Sequence, residues 1–267
     1  MAQLANDNIR KAVREQYGKV AESGDTGCGS SATSCCNDSG SDAQAASMEL
    51  GYSNTDVNAI PDGANMGLGC GNPKAIASLK PGETVLDLGS GGGFDCFLAV
   101  KEVGESGQVI GIDMTPEMVS KARKNADNAG YSNVDFRLGE IENLPVADSV
   151  VNVIISNCVI NLSPEKAKVF EESFRVLKPG GRLAISDIVA TAKLPEKLKN
   201  DMALFTGCMS GASSIADIEN MLKDAGFDEI AIKPKDESRD FIRYWVPDSK
   251  IEDFIVSATI EAIKPKA

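Results

Sequence analysis

With 7 cysteines and no histidine, the chain must carry any nucleophilic, redox or soft-metal chemistry on sulfur. Histidine triads, histidine general bases and histidine metal ligands are excluded. Three cysteines stand out by their surroundings. Cys70 sits in the glycine-rich run Gly63-Ala64-Asn65-Met66-Gly67-Leu68-Gly69-Cys70-Gly71-Asn72-Pro73, and Cys208 in a second loop, Thr206-Gly207-Cys208-Met209-Ser210-Gly211-Ala212. Cys158 ends the apolar stretch Ile154-Ile155-Ser156-Asn157. A lone buried cysteine is usually an inert small hydrophobe, but glycine-flanked cysteines in loops are poor core packers. If both loops fold over the end of the Cys158 segment, three thiols converge. A structural zinc site wants four ligands, commonly in paired C-x-x-C hooks, and these cysteines form none. A pyramidal three-thiolate set suits a soft trivalent centre that keeps a lone pair. Cys28, Cys35 and Cys36 lie on a Gly-, Ser-, Asp- and Ala-rich stretch from Ser23 to Ser47, which reads as a mobile loop. Thiols there would capture a thiophilic substrate or exchange disulfides with the cleft, or be incidental cysteines on a tail. Cys96 reads as packing.

The second chemical signal is Val85-Leu86-Asp87-Leu88-Gly89-Ser90-Gly91-Gly92-Gly93-Phe94-Asp95, an apolar strand that breaks into glycines where a helix begins. Gly89, Gly91 and Gly93 let the backbone turn tightly and approach a ligand, which meets the unpaired N–H groups of the following helix. No Gly-Lys-Ser/Thr follows, so the run is not a phosphate-binding loop, and it lacks the final glycine of a dinucleotide G-x-G-x-x-G fingerprint. Asp87 would repel a pyrophosphate and suits a cofactor that carries an ammonium and a sulfonium. That description fits S-adenosylmethionine. Asp87 to Gly93, as Asp-x-Gly-x-Gly-x-Gly, resembles the first motif of the class I S-adenosylmethionine-dependent methyltransferases.

The elements around these motifs follow from hydrophobic period. A first helix is expected over 5–20, from Ile9, Val13, Tyr17 and Val20 at helical spacing, and Pro73 starts another running to Leu79. Strands are expected near 84–88, 108–112, 134–138, 150–155 and 181–187, with helices near 93–103, 116–129 and 164–177. This alternation is the signature of a parallel sheet covered on both faces. Leu177 to Arg182 reads as a helix end and turn. Beyond it are expected helices near 194–205 and 214–225, strands Ile230-Ala231-Ile232 and Phe241 to Val246 that close the sheet with an antiparallel pair, and a final helix near 248–263. The fold class is α/β, Rossmann-like, in three parts. Residues 1–48 form a helix and cysteine-bearing loop, 49–190 the cofactor-binding domain, and 191–267 a C-terminal cap that completes the substrate site.

In an open parallel sheet, ligands bind at the carboxyl ends of the strands, where strand order reverses. Asp87 and the glycines close the first strand. Asp113 and Met114 close the second, roughly twenty residues on, the offset at which a carboxylate meets a ribose. Asp113 is assigned to the ribose hydroxyls, Met114 and Ile141 to the faces of the adenine, and Glu140 to its exocyclic amine. Met114 and Ile141 also admit a plain core-packing reading. Asn157, counted among the cofactor-binding residues, and Cys158 close the fourth strand, beside the reactive end.

Taken together, the runs from Gly63 to Pro73, Leu86 to Asp95, Ile155 to Leu162 and Gly207 to Ala212 resemble the arsenite S-adenosylmethionine methyltransferases, over about residues 48 to 215. The resemblance implies that Cys70, Cys158 and Cys208 bind trivalent arsenic, and that Cys35 or Cys36 takes part in binding or disulfide exchange. It implies arsenite and methylarsenite as substrates, in arsenic detoxification. A thiol reductant such as glutathione or a thioredoxin-type partner would be needed, because methylation formally oxidises arsenic. Thiolate-bound arsenic attacks the sulfonium methyl through its own lone pair, so no general base is required. Free thiolates need depressed pKa values, which helix N-termini or the bound metalloid itself would provide. Two other functions fit the same strands. One is a class I methyltransferase of a quinone or sterol-like small molecule, which needs no convergent thiols, and the other is a metalloid-binding protein without catalysis.

Charge and hydropathy narrow the partners. A net charge of −12 and an acidic isoelectric point argue against nucleic acid or an anionic membrane, since phosphate binding needs clustered Lys and Arg. No stretch approaches the ~20 apolar residues of a membrane helix and Met1-Ala2-Gln3-Leu4 opens no signal peptide, so a cytoplasmic protein is expected.

Overall fold

The computed structural model describes residues 2–23, 39–199 and 201–266. Cys28, Cys35 and Cys36, and the roles expected of them, lie outside the described residues. Helices α1 (Ala2–Ser23), α2 (Ser39–Glu49), α3 (Asn54–Asn58) and α4 (Lys74–Ala77) precede the sheet. Then come β1 (Thr84–Leu88), α5 (Phe94–Val103), β2 (Gln108–Asp113), α6 (Pro116–Ala129), β3 (Val134–Leu138), β4 (Val151–Asn157), α7 (Lys166–Val176) and β5 (Leu177–Ala190). The chain continues through α8 (Glu196–Lys199), α9 (Met202–Thr206), β6 (Ser213–Ser214), α10 (Ile215–Ala225), β7 (Asp228–Lys235), α11 (Arg239–Ile242) and β8 (Ile255–Ile263).

The strands form one sheet in the order β3-β2-β1-β4-β5-β8-β7, with β6 paired to β5. The first five strands run parallel, and β8 lies antiparallel between β5 and β7. Strand order reverses between β1 and β4, so the ligand cleft opens at their carboxyl ends. Period-two alternation divides the core. Leu86 and Leu88 face α7 and α10 with Phe170, Val169 and Leu222. Val85, Val109, Val153 and Ile155 face α5 and α6 with Phe97, Val100 and Ala122. Each fully buried large side chain contributes about 1.5–3 kcal/mol, which fixes the two strand ends that hold the site. No described helix is long and apolar enough to cross a membrane.

Five local expectations are corrected. The stretch up to Ser47 is helical from Ser39, as α2, where Ala43 is buried and Ser47 bonds the Ala43 carbonyl and Asn65. The single helix at 194–205 is two short ones, the second capped by Asp201, whose carboxylate accepts from the Ala203 and Leu204 N–H groups. Phe241 to Val246 is not a strand. Phe241 and Trp245 share one side of a helical turn, ring centroids 5.6 Å apart. The final helix near 248–263 is strand β8 instead. It is buried on both faces from Ile255 to Ile260, and a strand covered on both faces loses the alternation that distinguishes it from a buried helix. Finally, β5 already begins at Leu177, with a register shift between Val151 and Val153 absorbing the expected turn.

Candidate active site

A cavity of about 830 Å³ opens at the carboxyl ends of β1, β2 and β4. Gly89 and Gly91 form one wall, Asp113, Met114 and Ile141 another, and Asn157, Cys158 and Cys208 the far end. Gly89, at φ +71°, must be glycine, since a Cβ there would lie 2.4 Å from a Val159 methyl. Asp113 holds the turn in place. Its Oδ2 accepts the Gly91 N–H at 3.0 Å and its Oδ1 the Thr115 N–H at 2.8 Å. The Thr115 side chain also bonds this carboxylate, which leaves one of its four lone pairs for a ligand hydroxyl. Gly93 caps α5 behind the turn.

Asp87 lies behind the glycine turn rather than on the cavity wall. It is buried and accepts from the Cys96 thiol at 3.2 Å, so Cys96 packs as expected but also donates. Burial, and then the neighbouring Asp95, push Asp87 well above the usual carboxylate range. Burial likewise raises Asp95 to about 6, against the bonds from Tyr52 and Asn157. Two crowded buried carboxylates favour a cation beside them, which fits the ammonium and sulfonium of S-adenosylmethionine. Glu140 points elsewhere. Its carboxylate is held by Arg14 at 3.2 Å and Arg10 at 3.5 Å, both on α1, and Glu142 lines the cavity in its neighbourhood.

At the other end, Cys70, Cys158 and Cys208 are 1%, 6% and 2% exposed within one apolar cluster with Leu162, Ile188 and Leu204. None of the three is in a disulfide. The Cys70 loop is pressed onto β4, because Gly69 leaves the space that a Cβ would take from Asn157, 2.7 Å away. Asn157 then locks it: its Oδ1 accepts the Cys70 N–H at 3.0 Å, and its Nδ2 donates to the Gly71 carbonyl at 2.8 Å and the Tyr52 hydroxyl at 3.0 Å. Tyr52 passes the chain on to Asp95 at 2.7 Å. Asn157 therefore links the sulfur end to the cofactor end. The Cys70 thiol reaches the Ser186 carbonyl at 3.6 Å, and the Cys208 thiol bonds the Cys158 carbonyl.

Cys158 and Cys208 both adopt left-handed backbone, φ +59° and +64°. Such residues cost on the order of 1 kcal/mol each and persist only where the surroundings impose them. The protein alone does not lower the pKa of these thiols. The Cys208 contact lowers the Cys158 pKa, but the Cys70 contact and burial outweigh it, leaving Cys158 well above the usual thiol value. Cys208 is pushed well up by Cys158 and then by burial. In the absence of a ligand, both are protonated.

Three contributors escape the sequence reading. Helix α1 lies over the cavity, which Arg10, Val13 and Tyr17 help line, and Arg10 bonds Glu165 at 2.7 Å and Glu142 at 3.2 Å. The Val13 and Tyr17 spacing signals a helix face but not what it covers. Tyr52 carries no motif. Asp187 on β5 is the third, 1% exposed and raised by burial to about 6. Its signal was available: a carboxylate inside an apolar strand demands partners.

Residues 79–226 match the Methyltransferase domain family, in accord with a glycine turn and sheet of this class. An arsenite methyltransferase of Halobacterium salinarum is 53% identical over 282 residues, taking in 99% of this chain and 71% of the relative. One of Aquipseudomonas alcaligenes is 38% identical, over 82% of this chain and 62% of its own length. The crystal structure of an arsenic (III) S-adenosylmethionine methyltransferase from Chlamydomonas reinhardtii superposes with a TM-score of 0.62 at 32% identity, across 84% of this chain and 73% of that one. The chain belongs to the arsenite methyltransferase family.

Proposed function

We infer that this chain transfers methyl groups from S-adenosylmethionine to thiolate-bound trivalent arsenic, as part of arsenic detoxification. The observation that carries this reading is the burial of Cys70, Cys158 and Cys208, from three distant segments, in one cluster, with Cys158 and Cys208 on the wall of the cavity. Asp113 would hold the ribose, Met114 and Ile141 would enclose the adenine, and the Asp87–Asp95 pair would balance the cationic end. Bound S-adenosylmethionine supplies a methyl carbon activated by its sulfonium.

The chain's own residues do the rest. Arsenite arrives as a trihydroxide, and each hydroxide leaves as water with the proton of one thiol. Three As–S bonds form, three As–O bonds break and no charge is created. Raised thiol pKa values are therefore no obstacle, and a general base is not needed. The neutral trithiolate retains the arsenic lone pair as nucleophile. Cys158, fixed in left-handed backbone and tied through Asn157 to the cofactor end, orients that lone pair. The apolar cluster and α1 exclude water. Holding reactants at near-attack geometry supplies several kcal/mol, up to about 7–11 in ideal cases.

Each transfer takes arsenic from the trivalent to the pentavalent state, and a two-electron thiol reductant, glutathione or a thioredoxin-type protein, would return it for the next. Cys35 or Cys36 would join this exchange. The test is mass spectrometry of arsenic species after incubation with arsenite, S-adenosylmethionine and thiol. Methylated arsenic is expected. Cofactor consumption with another acceptor and none with arsenite would overturn the reading.

A further inference from the structure

The cysteine spacing lacks the fourth ligand of a divalent-metal site, and the fold provides one. A carboxylate oxygen of Asp187 and the sulfurs of Cys70 and Cys158 all lie within 4.8 Å of one another, all buried. Donors from the Asn161 turn and from its own strand hold the Asp187 carboxylate. Oδ1 accepts from Asn161 Nδ2 at 2.9 Å and from the Ile188 N–H at 2.7 Å. Oδ2 accepts the Ile160 N–H at 2.9 Å, and the Asn161 backbone N–H also bonds the carboxylate, so a cation takes its place on Asp187 by displacing one amide donor. Lys166, at the start of α7, interacts electrostatically with both Asp187 and Cys208.

We propose that Cys70, Cys158 and Asp187 form a binding site for a soft divalent cation, cadmium or zinc, that shares two thiols with the metalloid. Two sulfurs and one oxygen give three corners of the tetrahedron such ions prefer, and Cys208 or a water completes it. Charge supports the assignment. A divalent cation with two thiolates and one carboxylate carries one net negative charge, which the nearby Lys166 ammonium offsets, while the two thiol protons pass to solvent. Trivalent arsenic is already neutral with three thiolates and has no use for the carboxylate. The same pocket thus holds two ligand sets, S3 for the metalloid and S2O for the cation. Because Cys70 and Cys158 belong to both, the cation and arsenite exclude each other, and the cation competitively inhibits any chemistry done on arsenic there.

The test uses the full chain with Cys28, Cys35 and Cys36 changed to serine, so that cleft thiols dominate. Cadmium affinity is read by thiolate charge-transfer absorbance, and arsenite affinity by competition against it. Asp187→Asn is expected to weaken cadmium at least about 10–100-fold, since even the loss of a residue supporting a metal ligand costs that much, and to weaken arsenite by at least about tenfold less than cadmium, that smaller loss reflecting the disturbed Ile160–Leu162 turn. Unchanged cadmium affinity, or an equal loss of both ligands, would overturn the site; the latter would make Asp187 a mere latch on the Ile160–Leu162 turn. If this variant fails to bind S-adenosylmethionine, the parent chain decides through its cadmium-113 resonance: a shift for two sulfurs with oxygen supports the site, and one for sulfur alone refutes it. Neither result bears on whether arsenite is methylated, so the two readings fail separately.

Discussion

The two ends of the cleft are built in opposite ways. The cofactor end is built from two adjacent strand ends: one glycine turn after β1, one carboxylate after β2, and N–H groups of Gly91 and Thr115 donating to Asp113. The sulfur end is assembled from far apart. Cys70, Cys158 and Cys208 come from three segments, two of them sit in left-handed backbone, and Asn157 and Asp187 carry hydrogen bonds that keep their loops seated. A local site tolerates change at its rim, whereas an assembled site fails when any one tie is cut.

That contrast ranks the expected effects. Cys158→Ser or Cys208→Ser should lower arsenite methylation kcat/KM at least about 100-fold, because even a misplacement of about 1 Å costs that much, while S-adenosylmethionine affinity stays within about twofold. An equal loss of cofactor binding would mean the two ends are not separable. Gly69→Ala would drive a Cβ into Asn157. It is expected to destabilise by about 1–3 kcal/mol, read as a lower Tm, and to cut arsenite binding more than cofactor binding. Tyr52→Phe removes the donor to Asp95 and leaves a buried carboxylate short of a partner, at about 1–3 kcal/mol.

The pH dependence belongs to the cofactor end. Asp95 is protonated below about 6, so a cationic ligand beside it loses its counter-charge there. Cofactor affinity should fall as pH drops through about 6, by up to about tenfold per unit, and Asp95→Asn should flatten the profile. The apo protein responds the other way. A buried acid whose pKa is raised in the fold binds its proton more tightly when folded, so its contribution to stability is greatest at acid pH and is lost as pH rises through about 6. The smallest effect is at Lys223→Ala, far from both ends, where an exposed i,i+4 pair with Glu219 is broken. A change below about 0.5 kcal/mol is expected by thermal unfolding.

Legibility in the sequence follows the same divide. The glycine turn, the strand-helix alternation and Asp113 announce themselves because their chemistry lies within a few residues of one strand. The cysteines are legible as types, through their glycine neighbours, but their meeting point is not, since it depends on loops folding back across the β1–β4 switch. Tyr52 acts through Asp95, over forty residues away in sequence, with no local pattern to report it, whereas Asp187 shows as a carboxylate inside an apolar strand but not which loop it holds. β8 was hidden for a different reason. Ile255 to Ile260 are covered on both faces, with Ser257 and Thr259 buried among apolar neighbours, so no in–out alternation marks them as a strand.

The central claim is that three thiols bind one arsenic atom beside the methyl donor. X-ray absorption at the arsenic edge, on the arsenite-loaded protein with Cys28, Cys35 and Cys36 replaced by serine, tests it directly. A single shell of three sulfur neighbours is predicted. Persistent oxygen neighbours, or an unaltered spectrum in Cys158→Ser, would contradict it.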